Sequence, residues 1–298
     1  MTVLRLPFRT PLDRGRLIGF LGSRAIAGCE AVEGSRYVRS IRTPTGSPAV
    51  LEIELDPSEP VVTVRVRGDG AAGSVERDVR RLLDLDADPG AVDATLAADA
   101  VLRPLVRSAP GTRVPGAVDG FEIAVRAIVG QQVSVAGART TLGRIAERFG
   151  EPVPEPLGSV SRIFPTPARL AEAPRDGMGM PGARADAIVA VARAVERGEL
   201  DLSGEADLSA TRERLRAIRG VGAWTEEYVA MRALGDRDAF PVTDLGVRRG
   251  FRRLGLADDA RSMLEHAERW RPWRASAVIH LWSHSAGPNP PPARASRS

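Results

Sequence analysis

Two short segments near the N-terminus alternate apolar and polar residues, as half-buried strands do. They are residues 50–55 (VLEIEL) and 61–66 (VVTVRV), with Pro57 and Pro60 between them. This pattern predicts a β-hairpin that is closed by a loop of several residues. We therefore expect an antiparallel sheet within a small α+β domain over residues 1–88.

Helical spacing dominates the rest of the chain. The Pro- and Gly-rich stretch 150–167 predicts a loop, and the proline-rich residues 288–298 predict a disordered tail. Ser209 is expected to cap the helix that enters a Gly-Val-Gly turn. The fold class is therefore α+β and mostly α, with a helical core over residues 89–287. The predicted helices span residues 15–24, 74–85, 119–130, 133–149, 184–197, 245–254, 261–270 and 275–283.

The turn at Gly220, Val221 and Gly222 lies between two amphipathic segments, in the sequence LRAIRGVGAWTEEY of residues 215–228. Its glycines allow a tight turn and the close approach of another backbone. The second segment begins directly after the turn with unpaired N–H groups, and such a helix N-terminus binds phosphate. The turn therefore predicts a contact with a nucleic-acid backbone.

The composition excludes several chemistries. Cys29 is the only cysteine among 298 residues, so an internal disulfide, a cysteine zinc site and a four-cysteine iron–sulfur cluster are excluded. All 42 basic side chains are arginines, so no lysine of this chain can form a Schiff base. No apolar run reaches the ~20 residues of a membrane span, and no secretory signal is recognisable. We expect a cytoplasmic, nucleoid-associated protein without membrane contact.

Arginines are concentrated in residues 244–274, which hold eight of them against five acids, although the net charge of the chain is only +4. A basic face of this kind suits a polyanion such as DNA. A solvated helix surface has the same composition, so this observation alone does not decide between the two.

Asp244 is the candidate for catalysis. It ends the sequence Phe-Pro-Val-Thr-Asp of residues 240–244, at the distance from the turn that one helix would need. It also lies at the first turn of the predicted helix 245–254, where the helix dipole favours an ionised carboxylate. The alternative is a carboxylate that only stabilises the helix, and the neighbouring turn favours catalysis.

The four tryptophans all lie after residue 223. Trp224 and Tyr228 are four residues apart and share a helix face beside the turn, so they could stack against a base and attract a cationic one. Trp270 and Trp273 are expected to pack in the core. His280 and His284 also share a helix face, but nothing nearby has the spacing of a metal site, so we predict no side-chain metal site and no cofactor.

These residues resemble those of the helix-hairpin-helix DNA glycosylase superfamily, whose motif is a helix-hairpin-helix, a Gly/Pro-rich loop and an aspartate. Within it the chain is similar, over nearly its whole length, to the bacterial DNA-3-methyladenine glycosylase II family of the AlkA type. Further matching stretches are residues 16–21 (RLIGFL), 37–40 (YVRS), 113–122, 126–131, 164–167 and 267–274.

The resemblance implies an N-terminal α+β domain and two helical subdomains, with the helix-hairpin-helix at about residues 208–234. It implies that Asp244 is catalytic and that Trp224, Tyr228 and Trp282 line the base pocket. Main-chain carbonyls of the hairpin could also hold a monovalent cation. The residues implied to bind the DNA backbone are Gly220, Val221, Gly222, Ala223 and Thr225.

Two positions depart from the family pattern. Gln132 stands where the family has an intercalating leucine, and Ser283 stands where it has a pocket-side tyrosine. An amide can fill the gap left by a flipped nucleotide and hydrogen-bond the orphaned base, but it is a poorer apolar wedge. Both departures concern the range of lesions and not the class of enzyme.

The implied reaction is hydrolysis of the N-glycosidic bond of alkylated purines of the 3-methyladenine type, flipped out of duplex DNA during base excision repair. Because a cationic purine leaves as a neutral base, Asp244 need only stabilise the charge on the deoxyribose or orient water. Bifunctional members of the superfamily use a lysine just after the hairpin, where this chain has Trp224. We therefore expect a monofunctional enzyme without AP-lyase activity. We also expect a monomer.

Two alternatives remain open from the sequence. One is a non-catalytic helix-hairpin-helix protein that binds DNA, and release of a base from alkylated DNA would distinguish it. The other is a glycosylase for oxidised, deaminated or mismatched bases. Such families often carry the lysine or an iron–sulfur cluster, neither of which this chain can supply.

Overall fold

An antiparallel sheet of five strands forms near the N-terminus of this computed structural model, which describes residues 2–43, 45–56, 58–68 and 72–286. The strands are β1 (Thr2–Pro7), β2 (Glu30–Glu33), β3 (Arg36–Arg42), β4 (Pro48–Leu55) and β5 (Val61–Arg67), in the spatial order β1-β5-β4-β3-β2. The predicted hairpin is confirmed, since β4 and β5 pair with Leu55 opposite Val62. Pro57 of its loop and the predicted tail 288–298 lie outside the described residues.

Two helices, α1 (Arg14–Arg24) and α2 (Ala72–Leu82), contribute to the core of this first part. Alternate residues of β5 are buried and belong to the same apolar cluster as Leu17 of α1 and Val79 of α2. Asp13 caps α1 by accepting a hydrogen bond from the Arg16 N–H at 2.9 Å. The C-terminal end of α1 lies beside the helical part of the chain. Its residues Phe20 and Arg24 line a cavity there.

Helices make up most of the remaining chain, which confirms the predicted fold class. A second, larger apolar cluster runs through them. The domain boundary predicted at residue 88 stays a prediction. No helix in the described ranges is long and apolar enough to cross a membrane. The helices are α3 (Pro89–Ala98), α4 (Arg103–Ser108), α5 (Gly120–Gly130), α6 (Val135–Phe149), α7 (Pro167–Ala171), α8 (Gly182–Glu196), α9 (Leu208–Ala217), α10 (Ala223–Arg232), α11 (Leu245–Arg253), α12 (Ala260–Ala267) and α13 (Arg274–Ser285).

The prediction of a loop over residues 150–167 is wrong, because β6 (Glu151–Leu157) and β7 (Val160–Ile163) form a two-stranded antiparallel sheet there. Val153 of β6 and Val160 and Ile163 of β7 pack against Val38 and Val50 of the larger sheet. The three prolines of β6 are exposed, and Val153 is its one buried residue. Proline lacks the N–H that strand pairing needs, but it is tolerated in an edge strand. The proline-rich sequence therefore indicated a loop where the chain forms an edge strand.

The predicted cap of α9 is also wrong. Its N-cap is Asp207, whose side chain accepts a hydrogen bond from the Ala210 N–H at 2.7 Å, and Ser209 lies inside the first turn. Aspartate and serine are comparable capping residues, so the sequence offered two candidates of similar quality.

Candidate active site

The hairpin between α9 and α10 leaves a helix N-terminus open. Gly220 has a φ of 92°, and a Cβ there would lie 2.8 Å from the Cβ of Ala187, so glycine is required both by its conformation and by the space available. Gly222 is the N-cap of α10 and forms no side-chain capping bond. A Cβ at Gly222 would meet nothing within 4 Å. The first N–H groups of α10 are thus available to an anion.

The five residues predicted to bind the DNA backbone lie together at this hairpin but differ in exposure. Gly220, Gly222 and Ala223 are exposed, whereas Val221 is buried and the Thr225 side chain is only 2% exposed. The Thr225 hydroxyl accepts a hydrogen bond from Gln131 at 2.9 Å, and Gln131 also donates to the Gly220 carbonyl at 2.8 Å. The Thr225 hydroxyl is therefore engaged within the protein.

Asp244 is the N-cap of α11, as its sequence position predicts. Its Oδ1 accepts hydrogen bonds from the Val247 N–H and from Nε1 of Trp282, both at 2.8 Å. Its Oδ2 accepts a hydrogen bond from Nε1 of Trp224 at 2.6 Å. The structure thus brings together the predicted catalytic residue and two of the three predicted pocket residues. Donors on both oxygens hold the carboxylate in one orientation.

Gly246 makes this arrangement possible. A Cβ at Gly246 would lie 2.8 Å from Cδ1 of Trp282 and 3.0 Å from Oδ1 of Asp244. Any larger residue would push the indole away from the carboxylate. A glycine two residues after the aspartate, within an otherwise helical segment, was the signal in the sequence for this close approach.

The aromatic residues form a connected wall. Trp224 and Tyr228 stack with ring centroids 5.3 Å apart, and Tyr228 lies 6.1 Å from Trp282. Trp282 in turn stacks at 6.3 Å on Phe20 of α1. Phe20 was not predicted as a pocket residue, although it lies in the stretch 16–21 on which the family resemblance depends.

A cavity of about 1180 Å³ opens beside this wall. Its lining includes Asp244, the aromatic residues, the hairpin and Gln132. Gln132 is exposed and has a positive φ of 57°, which is uncommon for a residue with a side chain. The cavity is large enough for a nucleobase, and its apolar wall with a few convergent polar groups is typical of a ligand site.

Two arginines reach the aromatic wall, and neither was predicted. The guanidinium of Arg232 lies 4.7 Å from the Phe20 ring centroid and donates a hydrogen bond to the Tyr228 hydroxyl at 3.0 Å. The guanidinium of Arg24 lies 3.9 Å from the same ring centroid. Burial raises the pKa of Tyr228, but the positive charges of Arg232, Arg24 and Arg126 outweigh it and bring the pKa below its ordinary value.

A buried network of ion pairs connects β2 and β3 of the N-terminal sheet with α5. Arg39 donates to Glu122 at 3.0 Å, and Arg126 donates to Glu122 at 2.7 and 2.9 Å and pairs with Glu30. Burial opposes ionisation of Glu30, but Arg126 and Arg39 lower its pKa to about 2. Arg126 also donates to the main-chain carbonyl of Arg24 at 2.7 Å, so the network holds the end of α1 at the cavity.

The arginine-rich segment 244–274 is less basic than its composition indicates, because at least five of its eight arginines are ion-paired. The pairs are Arg248 and Arg252 with Asp258, Arg261 with Glu265, and Arg271 and Arg274 with Asp238.

Trp270, predicted as a core residue, is fully buried and donates to Asp99 at 2.8 Å.

A side-chain metal site does not occur among the described residues, where no three His, Cys, Asp or Glu side chains cluster suitably. Burial lowers the pKa of His280 to about 4, so this imidazole is neutral. The predicted monovalent cation would need main-chain carbonyl oxygens of the hairpin as ligands. Those of Ile218 and Gly220 each accept one hydrogen bond and keep a second lone pair, so they are compatible with it.

Comparison with known families covers both parts of the chain. The model of the AlkA N-terminal domain matches residues 3–119, and the model described as "HhH-GPD superfamily base excision DNA repair protein" matches residues 125–275.

Individual proteins are similar over most of the chain. Two from Mycobacterium tuberculosis strains, named "Probable bifunctional transcriptional activator/DNA repair enzyme AlkA", are 41% identical over 94% of this chain, which spans only 56% of their length. DNA-3-methyladenine glycosylase 2 of Escherichia coli is 33% identical over 93% of this chain and 95% of its own. The solved structure of the 3-methyladenine DNA-glycosylase from Archaeoglobus fulgidus superimposes with a TM-score of 0.81 at 26% identity, covering 96% of this chain and 98% of that one.

Proposed function

Since this chain belongs to the HhH-GPD superfamily of base excision DNA repair proteins and carries an AlkA-type N-terminal domain, we propose that it is a monofunctional DNA glycosylase for alkylated purines. It hydrolyses the N-glycosidic bond of a purine of the 3-methyladenine type that is flipped out of duplex DNA. It acts as a monomer and needs no cofactor.

The observation that carries this proposal is the orientation of Asp244. Its carboxylate is held by Trp224 and Trp282 at a cavity of nucleobase size, next to a helix N-terminus suited to phosphate. When the glycosidic bond stretches, positive charge develops on the deoxyribose. A fixed carboxylate stabilises that charge without reorganising during the reaction. Asp244 therefore stabilises the sugar cation or orients the water that attacks it.

The aromatic wall accounts for the choice of base. The ring faces of Trp224, Tyr228 and Trp282 carry negative potential and attract an electron-poor alkylated purine. Such a purine leaves as a neutral molecule and needs little protonation. Flipping costs a few kcal/mol, and it costs less for a damaged base that pairs poorly.

A panel of lesions tests the proposal. Duplexes containing 3-methyladenine, 7-methylguanine, hypoxanthine or 8-oxoguanine are incubated with the protein, and free bases are measured. We expect release of the methylated purines and no release of 8-oxoguanine. Binding to every duplex without release of any base would instead support a non-catalytic helix-hairpin-helix protein.

A second prediction concerns strand cleavage. Because the chain has no lysine and Trp224 follows the hairpin, we expect abasic sites without strand breaks until alkali is added. Gel electrophoresis before and after alkali measures this, with borohydride added to trap any Schiff base. Cleavage before alkali together with a trapped covalent adduct would contradict the monofunctional assignment.

A third prediction concerns Gln132, which we assign to fill the gap left by the flipped nucleotide. Gln132→Ala should slow release from a fully paired duplex by about tenfold, because unstacking costs a few kcal/mol and the smaller side chain recovers less of it. Release from a duplex in which the lesion lies opposite an abasic site should fall much less, since flipping is then easier. Equal losses on both duplexes would argue against this role.

A further inference from the structure

The side chain of Gln131 connects the hairpin to the turn that carries Gln132. Its amide nitrogen donates to the Gly220 carbonyl at 2.8 Å and to the Thr225 hydroxyl at 2.9 Å. A carbonyl oxygen can only accept, so the nitrogen of this amide must face Gly220, and its orientation is fixed. Gln131 directly precedes Gln132, to which we assign the gap left by the flipped nucleotide. One side chain therefore joins the proposed phosphate site to the proposed gap-filling residue.

Residues 131–134, which we call the insertion turn, link α5 to α6 and are held at both ends. The Gln131 carbonyl accepts a hydrogen bond from Arg184 of α8 at 3.2 Å. Ser134 caps α6 by accepting from a main-chain N–H of that helix at 3.1 Å. Between them Gln132 has its positive φ of 57°, a conformation that persists where the surrounding contacts hold it. The insertion turn is therefore a defined structure.

The rest of the insertion turn faces the mouth of the cavity. Residues 132–137 are all exposed, and Val133 and Val135 are large apolar side chains that line the cavity. Among the described residues, no hydrogen bond other than the two of the Gln131 amide joins the insertion turn to the hairpin or to α10. The position of Gln132 relative to the hairpin therefore depends strongly on this amide.

We propose that Gln131 is a positioning residue that keeps Gln132 in register with the DNA phosphate bound at the hairpin. During flipping, the phosphates of the target nucleotide stay in the backbone while its base leaves the stack. The protein groups that bind the phosphate and fill the gap must therefore keep a fixed separation, since a displacement of about 1 Å costs up to about a hundredfold in rate. This role rests on the glycosylase function proposed above and on the place of Gln132 in it.

Gln131 acts on flipping and not on bond cleavage. The Asp244 carboxylate is oriented separately, by the indole N–H groups of Trp224 and Trp282. Removing the amide donors of Gln131 leaves these bonds in place and leaves the first N–H groups of α10 open. The effect of a substitution at Gln131 should therefore depend on how much the target base must be unstacked, while the affinity for DNA should change little.

Gln131→Met keeps the length of the side chain and removes its donors. With enzyme in excess over DNA, we expect release of 3-methyladenine from a fully paired duplex to slow by about tenfold, as predicted for Gln132→Ala. Release from a duplex with the lesion opposite an abasic site should slow by less than about twofold, because flipping is then easier. Since both duplexes meet the same protein preparation, any loss of folded protein cancels in the ratio of the two rates.

A double-mutant cycle tests whether Gln131 acts through its neighbour. If Gln131 only positions Gln132, the protein that carries both Gln131→Met and Gln132→Ala should release base from the paired duplex about as fast as Gln132→Ala alone. Independent roles would instead multiply two losses of about tenfold into one of about a hundredfold.

Fluorescence measures unstacking without base release. 2-Aminopurine placed beside the target in an uncleavable duplex brightens when its neighbour leaves the stack, and Gln131→Met should reduce this increase at saturating protein. Thr211 provides the matched control, because it donates to the Asp201 carbonyl at 3.1 Å, is 2% exposed and does not line the cavity. Thr211→Val removes this buried bond of α9 and should leave both the ratio of rates and the fluorescence increase unchanged.

Equal losses from the two duplexes in Gln131→Met would overturn the positioning role, as would the multiplied loss in the double variant or an undiminished fluorescence increase. If the unaltered protein unstacks the target but releases no base, it is the glycosylase function that fails, and the fluorescence of Gln131→Met still decides the role of Gln131.

Discussion

Asp244→Asn should reduce base release from alkylated DNA by about a thousandfold while leaving DNA affinity within about threefold. The expected loss follows from removing the negative charge that stabilises the sugar cation, and single preorganised electrostatic groups are typically worth a hundredfold to a thousandfold in rate. Single-turnover base release and equilibrium binding to an uncleavable duplex measure the two quantities.

The fold should tolerate this substitution. Asparagine caps helices as well as aspartate does, so the bond to the Val247 N–H can persist. The amide has one oxygen where the carboxylate has two, so one tryptophan N–H would face an NH₂ group. We expect a loss of stability of about 1 kcal/mol, which is far too small to account for the loss of rate.

Asp259→Asn is the matched control. Asp259 is the N-cap of α12 and accepts a hydrogen bond from the Ser262 N–H at 3.0 Å, but it does not line the cavity. The same chemical change there should leave base release unaltered. If Asp244→Asn retains more than a tenth of the activity, the carboxylate charge is not central to catalysis, and Asp244 would be only a capping residue.

The elements that could be predicted are those whose signal is local. The alternation in β4 and β5 and the helical spacing of α5, α8 and α11 each appear within about 15 residues. The edge strand β6 could not be recognised, because its stability comes from Val38 and Val50 of a distant sheet and its own prolines indicate a loop.

The same distinction applies to the site. Asp244, Trp224 and Tyr228 are close to the hairpin in sequence, so a local motif identified them. Phe20 and Arg24 reach the cavity from a helix about 200 residues earlier, and only the packing of α1 against α5 and α6 brings them there. Their contribution depends on tertiary contacts that no spacing along the chain encodes.

Gly222→Asp should weaken DNA binding by about tenfold to a hundredfold without destabilising the protein. Gly222 caps α10, its φ of −91° is open to any residue, and a Cβ there would meet nothing within 4 Å. Aspartate is a better N-cap than glycine by a few tenths of a kcal/mol, so the thermal midpoint should hold or rise slightly. The added carboxylate would occupy the anion site and repel the phosphate by about 1 to 4 kcal/mol at contact distance.

Gly222→Ser separates charge from bulk, because serine also caps the helix but is neutral. We expect its DNA affinity to stay within about threefold of the original. Raising the salt concentration should narrow the gap between the two variants, since exposed charges are screened. Once DNA is saturated with enzyme, the single-turnover rate of Gly222→Asp should approach the normal rate, because the hairpin binds the backbone while Asp244 acts on the sugar. Full affinity in Gly222→Asp at low salt would contradict the assignment of phosphate to this helix N-terminus, and the anchor for DNA would then lie elsewhere around the cavity.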